Sequence, residues 1–225
     1  MPKQKARKKY YFSVEGQTEE LYFEWLEKEI NKCPDTSCRV SFDCQVEPDP
    51  IKRIKKMNII GKTEIWHIYD YESNGLEHRK RFFDTIDKMT KAERMGKQVK
   101  YLLGYSNLTF DLWMILHKTD CYSSKPYNTA YLKDTNKAYD ENFQSMDEYK
   151  EKDNFNRCLS KISLNDVIQA VSRAKHIEQM NLQNGYKKQV YKKFTYYAEN
   201  PSLDIWLAIK KILEDCQLNK TIKLR

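Results

Sequence analysis

Residues 10–20 read YYFSVEGQTEE. Tyr10–Val14 is aromatic and β-branched, the composition of a short buried strand. Glu15 stands at its end, Gly16 follows, and TEELYFEWLEKEI predicts a helix. Thr18 is placed to cap that helix, and Glu19 and Glu20 suit its positive end. Leu21, Tyr22, Trp25, Leu26 and Ile30 recur at helical spacing. A strand thus delivers one carboxylate to its end, turns on a residue without Cβ, and brings a second carboxylate back in the first helical turn.

The same alternation continues downstream. Cys38–Val46 predicts a second strand and residues 51–57, IKRIKKM, a short basic helix. Glu64–Tyr69 predicts a third strand ending at Asp70, with Glu72 two residues beyond. Residues 76–95 predict a charged helix with Leu76, Phe82, Phe83, Ile86 and Met89 inward. Val99–Gly104 reads as a fourth strand and Thr109–Lys118 as an apolar helix. Strand–helix alternation from residue 10 to residue 118 argues for an α/β core with a largely parallel sheet. Residues 119–160 are polar, tyrosine-rich and weakly patterned. Ser163–Met180 predicts a helix capped by Ser163 and Asp166. Asn200-Pro201 is expected to open another, with Trp206, Ile209 and Leu213 buried. Residues 119–225 therefore read as a helical elaboration packed on the core within a single domain. Residues 1–9, MPKQKARKK, read as a basic tail, either a solubilising leader or an arm for phosphates.

Bulk properties narrow the class. The chain has 225 residues, of which 40% are hydrophobic and 13% aromatic, which excludes a disordered composition. Forty Lys and Arg against 32 Asp and Glu give a net charge of +8, with 16 tyrosines. That balance suits nucleic acid, and equally an ordinary solvated lysine-rich surface. The run YKKQVYKKF at 186–194 reads either as a solvated helix or as a nucleic-acid contact through Lys187, Lys188, Lys192, Lys193 and Tyr191. Six cysteines form no CxxC, and the spacing of Cys33, Cys38 and Cys44 fits no zinc pattern. They read as reduced thiols of a cytoplasmic protein. No apolar run approaches the roughly 18 residues of a membrane span, so no membrane association is expected. His67, His78, His117 and His176 read as packed residues rather than catalysts.

Ligands of an open α/β sheet bind at the carboxyl ends of its parallel strands. Glu15 and Asp70 both occupy such ends, and neighbouring strands lie about 4.8 Å apart. Crowded carboxylates stay ionised only with positive charge between them, and hard oxygen donors suit Mg2+ or Mn2+. Two such ions clamp the attacking and leaving oxygens of a phosphodiester. Taken singly, Glu19 and Glu20 are also ordinary helix-terminal carboxylates, and Asp70 and Glu72 ordinary loop residues.

Strand-E-G-x-x-E followed by strand-D-x-E resembles a Toprim domain. More narrowly, VEGQTEELYF at 14–23 and SNLTFDLWMILH at 106–117 resemble the RloB family, found beside bacterial restriction and abortive-infection genes. KDNFN at 152–156, SRAKHIE at 172–178 and NPSLDIWLAIKKIL at 200–213 extend the likeness in order along the chain. The resemblance implies a Toprim-like sheet with a C-terminal helical elaboration. It also implies an Mg2+- or Mn2+-dependent nuclease acting in phage defence on DNA or on RNA such as tRNA. An ATPase partner encoded nearby is implied too, and a homodimer is compatible with it. Glu15, Asp70 and Glu72 take the catalytic positions, and Glu15, Glu19, Asp70, Glu72 and Asp111 the metal positions. Two departures stand out: Glu72 replaces the usual aspartate of DxD, and Asp111 follows Leu108-Thr109 where the family tends to show Pro-Cys and then glutamate. Ser106 and Asn107 are placed to position a metal or phosphate, and Lys175 is the candidate leaving-group acid. The rival expectation is a non-catalytic nucleic-acid- or partner-binding module of a defence complex.

Overall fold

A computed structural model describes residues 5–218; residues 1–4 of the expected tail and 219–225 of the C-terminal region lie outside the described residues. The chain runs through β1 (Ala6–Val14), α1 (Gln17–Lys32), β2 (Cys38–Val46), α2 (Pro50–Lys56), β3 (Thr63–Asp70), α3 (Leu76–Glu93), β4 (Val99–Asn107) and α4 (Asp111–Leu116). A 3-10 turn (Asn128–Tyr131), α5 (Leu132–Tyr139), α6 (Met146–Lys150), α7 (Lys152–Ser160) and α8 (Leu164–Gln183) follow. A hairpin of β5 (Gln189–Tyr191) and β6 (Phe194–Tyr196), then β7 (Ser202–Leu203) and α9 (Ile205–Asp215), complete it.

The main sheet has the order β2-β1-β3-β4-β7. Its first four strands are parallel, and β7 pairs antiparallel with the end of β4. This is the mostly parallel, helix-flanked α/β fold that the Toprim resemblance implies. Side-chain alternation gives each strand two faces. Phe12, Val14 and Ile68 pack against Tyr22, Phe23 and Leu26 of α1 and against α4, α8 and α9. Ile65, Tyr101 and Tyr105 face the other way, onto Phe82, Ile86 and Met89 of α3 and onto the hairpin. Asp70 and Ser106 are paired across β3 and β4 and belong to the α1 face by that alternation.

Several local expectations change. β1 starts at Ala6 and pairs with β2 from there, so the second half of the expected tail is strand. Backbone pairing overrides the charge of Arg7, Lys8 and Lys9, and Lys8 and Lys9 pair with Asp215 and Asp43. Thr18 does not cap α1: Gly16 is the cap residue, and Thr18 Oγ1 donates to Glu19 Oε2 at 3.0 Å. Leu76 is 85% exposed because it opens α3 beyond the edge of the core. The 186–194 run is no helix; Tyr191, Phe194 and Tyr196 turn inward and Val190 and Thr195 outward, the alternation of the β5–β6 hairpin. Pro201 opens no helix either, since Ser202 and Leu203 are held in the β4 ladder and α9 begins only at Ile205. The weakly patterned 119–160 segment holds the 3-10 turn and three helices, and its tyrosines Tyr131, Tyr139 and Tyr149 are fully buried core.

Candidate active site

The adjacency of β1 and β3 brings the first two carboxylates together. Glu15 Oε2 accepts the Asp70 backbone N–H at 3.2 Å. Burial raises the Glu15 carboxyl to about 7; that N–H opposes the rise, and the charges of Glu19 and Glu72 add to it. Asp70 lies well above the ordinary carboxylate range, first from burial and then from repulsion by Glu19, Glu15 and Asp111. Glu19, 6% exposed, points in from the first turn of α1. Burial raises its pKa, opposed by hydrogen bonds that include the Thr18 hydroxyl and by Lys150.

Gly16 serves this arrangement by clearance. Its φ of −139° is open to any residue, but a Cβ there would lie 3.0 Å from Glu19 Oε2. Asp111, 1% exposed, opens α4. Its Oδ2 accepts from Thr109 Oγ1 at 2.9 Å, while its Oδ1 is buried with no hydrogen-bond partner. Ser106 Oγ and Asn107 Oδ1 are buried and unpartnered as well.

Glu72 sits at the rim. It has φ 57°, donates its backbone N–H to Leu108 O at 3.0 Å, and binds Arg81 at 3.0 Å, with His78 Nε2 3.4 Å away. It reaches the cluster by charge, through Glu15, rather than by contact.

Lys150, at the end of α6, is the residue that sequence reasoning missed. Its Nζ lies 3.2 Å from Asp111 Oδ2. Burial lowers its pKa, and the attraction of Asp111, Asp70 and Glu19 more than offsets this, so the ammonium is held charged. Ser145 and Glu148 are a recognisable helix-start pair, and Ser145 does accept from Glu148 N–H. That signal locates the helix but not the carboxylates it faces. Lys175 stands on the outer face of α8, and no hydrogen bond or ion pair joins it to the cluster among the described residues.

The hairpin cations are mostly engaged within the protein. Tyr191 packs on Phe83 with ring centroids 4.5 Å apart and donates its hydroxyl to Asp87 at 3.1 Å. Lys192 pairs with Asp87 at 3.4 Å, Lys193 with Glu93, and Lys188 with Glu178. Lys187 has no ion-pair partner among the described residues. Two of the four histidines are packed, while His78 is half-buried beside Ser73 and Glu72 and His176 is exposed on α8; His67 is fully buried and pushed down to about 3 by burial, with neither ring nitrogen bonded. His117 bonds the Tyr22 hydroxyl at 3.2 Å and Trp113 O at 2.9 Å.

Among the described residues no three His, Cys, Asp or Glu side chains are arranged to hold a metal ion. The donor set nevertheless fits a hard divalent cation. Glu15, Glu19, Asp70 and Asp111 supply carboxylate oxygens, Asp111 Oδ1 lacks a partner, and burial, with mutual repulsion adding to it, raises the pKa values of Glu15, Glu19 and Asp70. Coordination by three of them requires side-chain rotation from the arrangement seen.

A Toprim-like sheet with half-buried carboxylates at the carboxyl ends of adjacent parallel strands defines the class of this protein. A family model described as RloB-like protein matches residues 10–212, and the chain belongs to that family. No curated protein and no solved structure matches it.

Proposed function

We propose that this protein is a divalent-cation-dependent nuclease that hydrolyses phosphodiester bonds of RNA, tRNA included, or DNA. The observation that carries this reading is the crowding of Glu15, Glu19, Asp70 and Asp111, the last three of them around one lysine. The acidic set would hold Mg2+ or Mn2+, which when bound activates water and neutralises phosphate charge. Glu15, with a carboxyl titrating near neutrality, takes the proton of the attacking water on the oxygen not engaged by Asp70 N–H. Lys150 Nζ, charged and half exposed, binds a non-bridging phosphate oxygen or gives its proton to the leaving oxygen. Asp70 and Glu19 orient, and Thr109 fixes the Asp111 carboxylate. Within this reading the protein is an effector of bacterial phage defence licensed by an ATPase partner encoded nearby.

The test is cleavage of labelled total tRNA and of DNA with Mn2+, comparing wild type with Glu15→Gln. Loss in the variant supports the assignment, and equal cleavage by both refutes it. A non-catalytic binding module is the second reading, favoured by Lys150 and Arg81 already neutralising part of the acidic set. It predicts no Mn2+ binding by calorimetric titration.

A further inference from the structure

The tyrosines and lysines of the C-terminal region form a second feature, distinct from the carboxylates. A groove of about 600 Å3 runs along the outer face of α8 to the segment before the hairpin. Lys175, Gln179 and Leu182 follow one another at helical spacing along one wall, and Tyr186, Lys187 and Tyr197 close the other. Its lining is unusual for solvent-facing surface: Leu182 is 71% exposed and Tyr186 38% exposed. Tyr197 forms the floor, with Lys188 Nζ 5.6 Å from its ring centroid. Lys188 is held there by Glu178, so this one acid is already answered. Lys175 and Lys187 have no ion-pair partner among the described residues, unlike Lys192 and Lys193 on the hairpin. Further along α8, His176 and Tyr122 lie ring to ring at 5.0 Å beside Lys175.

The groove is tied to the acidic site by the backbone. Asn107, at the end of β4, donates from Nδ2 to the carbonyls of Tyr197, Ala198 and Glu199 at 3.3, 3.1 and 3.2 Å. Asn74, on the loop after Asp70, donates to Ala198 O at 3.0 Å. The Tyr197 N–H donates to the Tyr105 hydroxyl. Thus β4 and the loop that follows Asp70 also hold the segment that floors the groove.

We infer that this groove binds a single-stranded stretch of polynucleotide flanking the scissile bond, with a base against Tyr186 and Leu182 and phosphates on Lys175 and Lys187. The inference rests on the nuclease reading for its position but not for its test. Exposed rings serve unpaired bases, because duplex bases keep their faces stacked on one another. Two unanswered lysines match phosphates and would repel a basic partner.

The experiment is fluorescence anisotropy with labelled 12-mers of rU and dT in EDTA, across a salt series. Lys175→Ala/Lys187→Ala, Tyr186→Ala and the rival Lys192→Ala/Lys193→Ala are compared with wild type after a check of equal thermal unfolding. Each phosphate contact contributes about 0.7 to the log–log salt slope of single-strand binding, so the first variant is expected to flatten it by about 1.4. Tyr186→Ala is expected to weaken binding by roughly 5- to 150-fold, and the hairpin variant to leave the slope unchanged. The ratio of rU to dT affinity shows which polynucleotide the groove takes. The inference is overturned if wild type binds neither oligomer, if it prefers a duplex, or if the hairpin variant carries the loss instead. Because binding is read without a divalent cation, its failure leaves the Glu15→Gln cleavage result standing, and the converse also holds.

Discussion

Replacing Glu15 by Gln should change how stability depends on pH before it changes anything else. The Glu15 carboxyl titrates at about 7 in the folded protein against an ordinary value of 4.5. The folded chain therefore holds this proton more tightly than the unfolded chain does. Between those two values unfolding releases a proton, so stability falls as pH rises; the loss begins near 4.5 and is complete above about 7. A difference of this size corresponds to about 3 kcal/mol, or roughly 6–12 °C in melting temperature for a chain of this length. Gln keeps an oxygen to accept the Asp70 N–H but cannot ionise, so the variant loses this contribution. It also removes one charge that repels Asp70. Thermal unfolding in EDTA from pH 4 to pH 8.5 measures both proteins, and their difference cancels the titrating groups that do not interact with Glu15, leaving Glu15 and the carboxylates it repels. The variant should match wild type near pH 4.5 and exceed it at pH 8. Mg2+ added at pH 8 should then raise wild type more than the variant, since a ligand that binds only the folded state stabilises it. Parallel pH profiles for the two proteins would refute the claim that Glu15 is buried among like charges.

Further outcomes follow from the same geometry. Gly16→Ala should fold normally, because its backbone is extended, yet cleave at least tenfold more slowly, because the new Cβ displaces the Glu19 carboxylate; unfolding and cleavage assays read the two effects separately. Lys150→Ala should lower the cleavage rate roughly 100-fold or more with Lys150→Arg retaining part of it, and single-turnover rates distinguish the two. Asn107→Ala removes one side-chain donor shared by three carbonyls of the 197–199 segment, which keep their bonds from Asn74 and Ser202, and should cost about 1 kcal/mol in urea unfolding.

Elements with strong periodicity were readable directly. The Phe12–Val14 run, the Tyr22–Leu26–Ile30 stripe and the Ser163–Asp166 cap are local signals, and local physics sets them. The sequence placed Glu15 and Asp70 at strand ends but left the adjacency of β1 and β3 open; the sheet order supplies it, and the Glu15–Asp70 contact depends on it. Lys150 was not readable, because its helix is only five residues long and its meaning comes from Asp111, far away in sequence. The hairpin was misread because YKKQVYKKF carries its lysines at spacings that also suit a helix; the ring contact of Tyr191 with Phe83 and the charges of Asp87 and Glu93 decide otherwise. Glu72 kept its place in the motif but not its neighbours, since Arg81 and His78 of α3 draw it outward.

The hold of Asn107 on residues 197–199 has a consequence for biosynthesis. The carboxylates are encoded before residue 112, the lysine among them at 150, and the backbone that braces the rim near 198. A ribosome must therefore release the chain beyond residue 199 before the constellation can assemble. On the proposed activity, nascent and prematurely terminated products are inert, and a cell translating this message is spared damage from its incomplete copies.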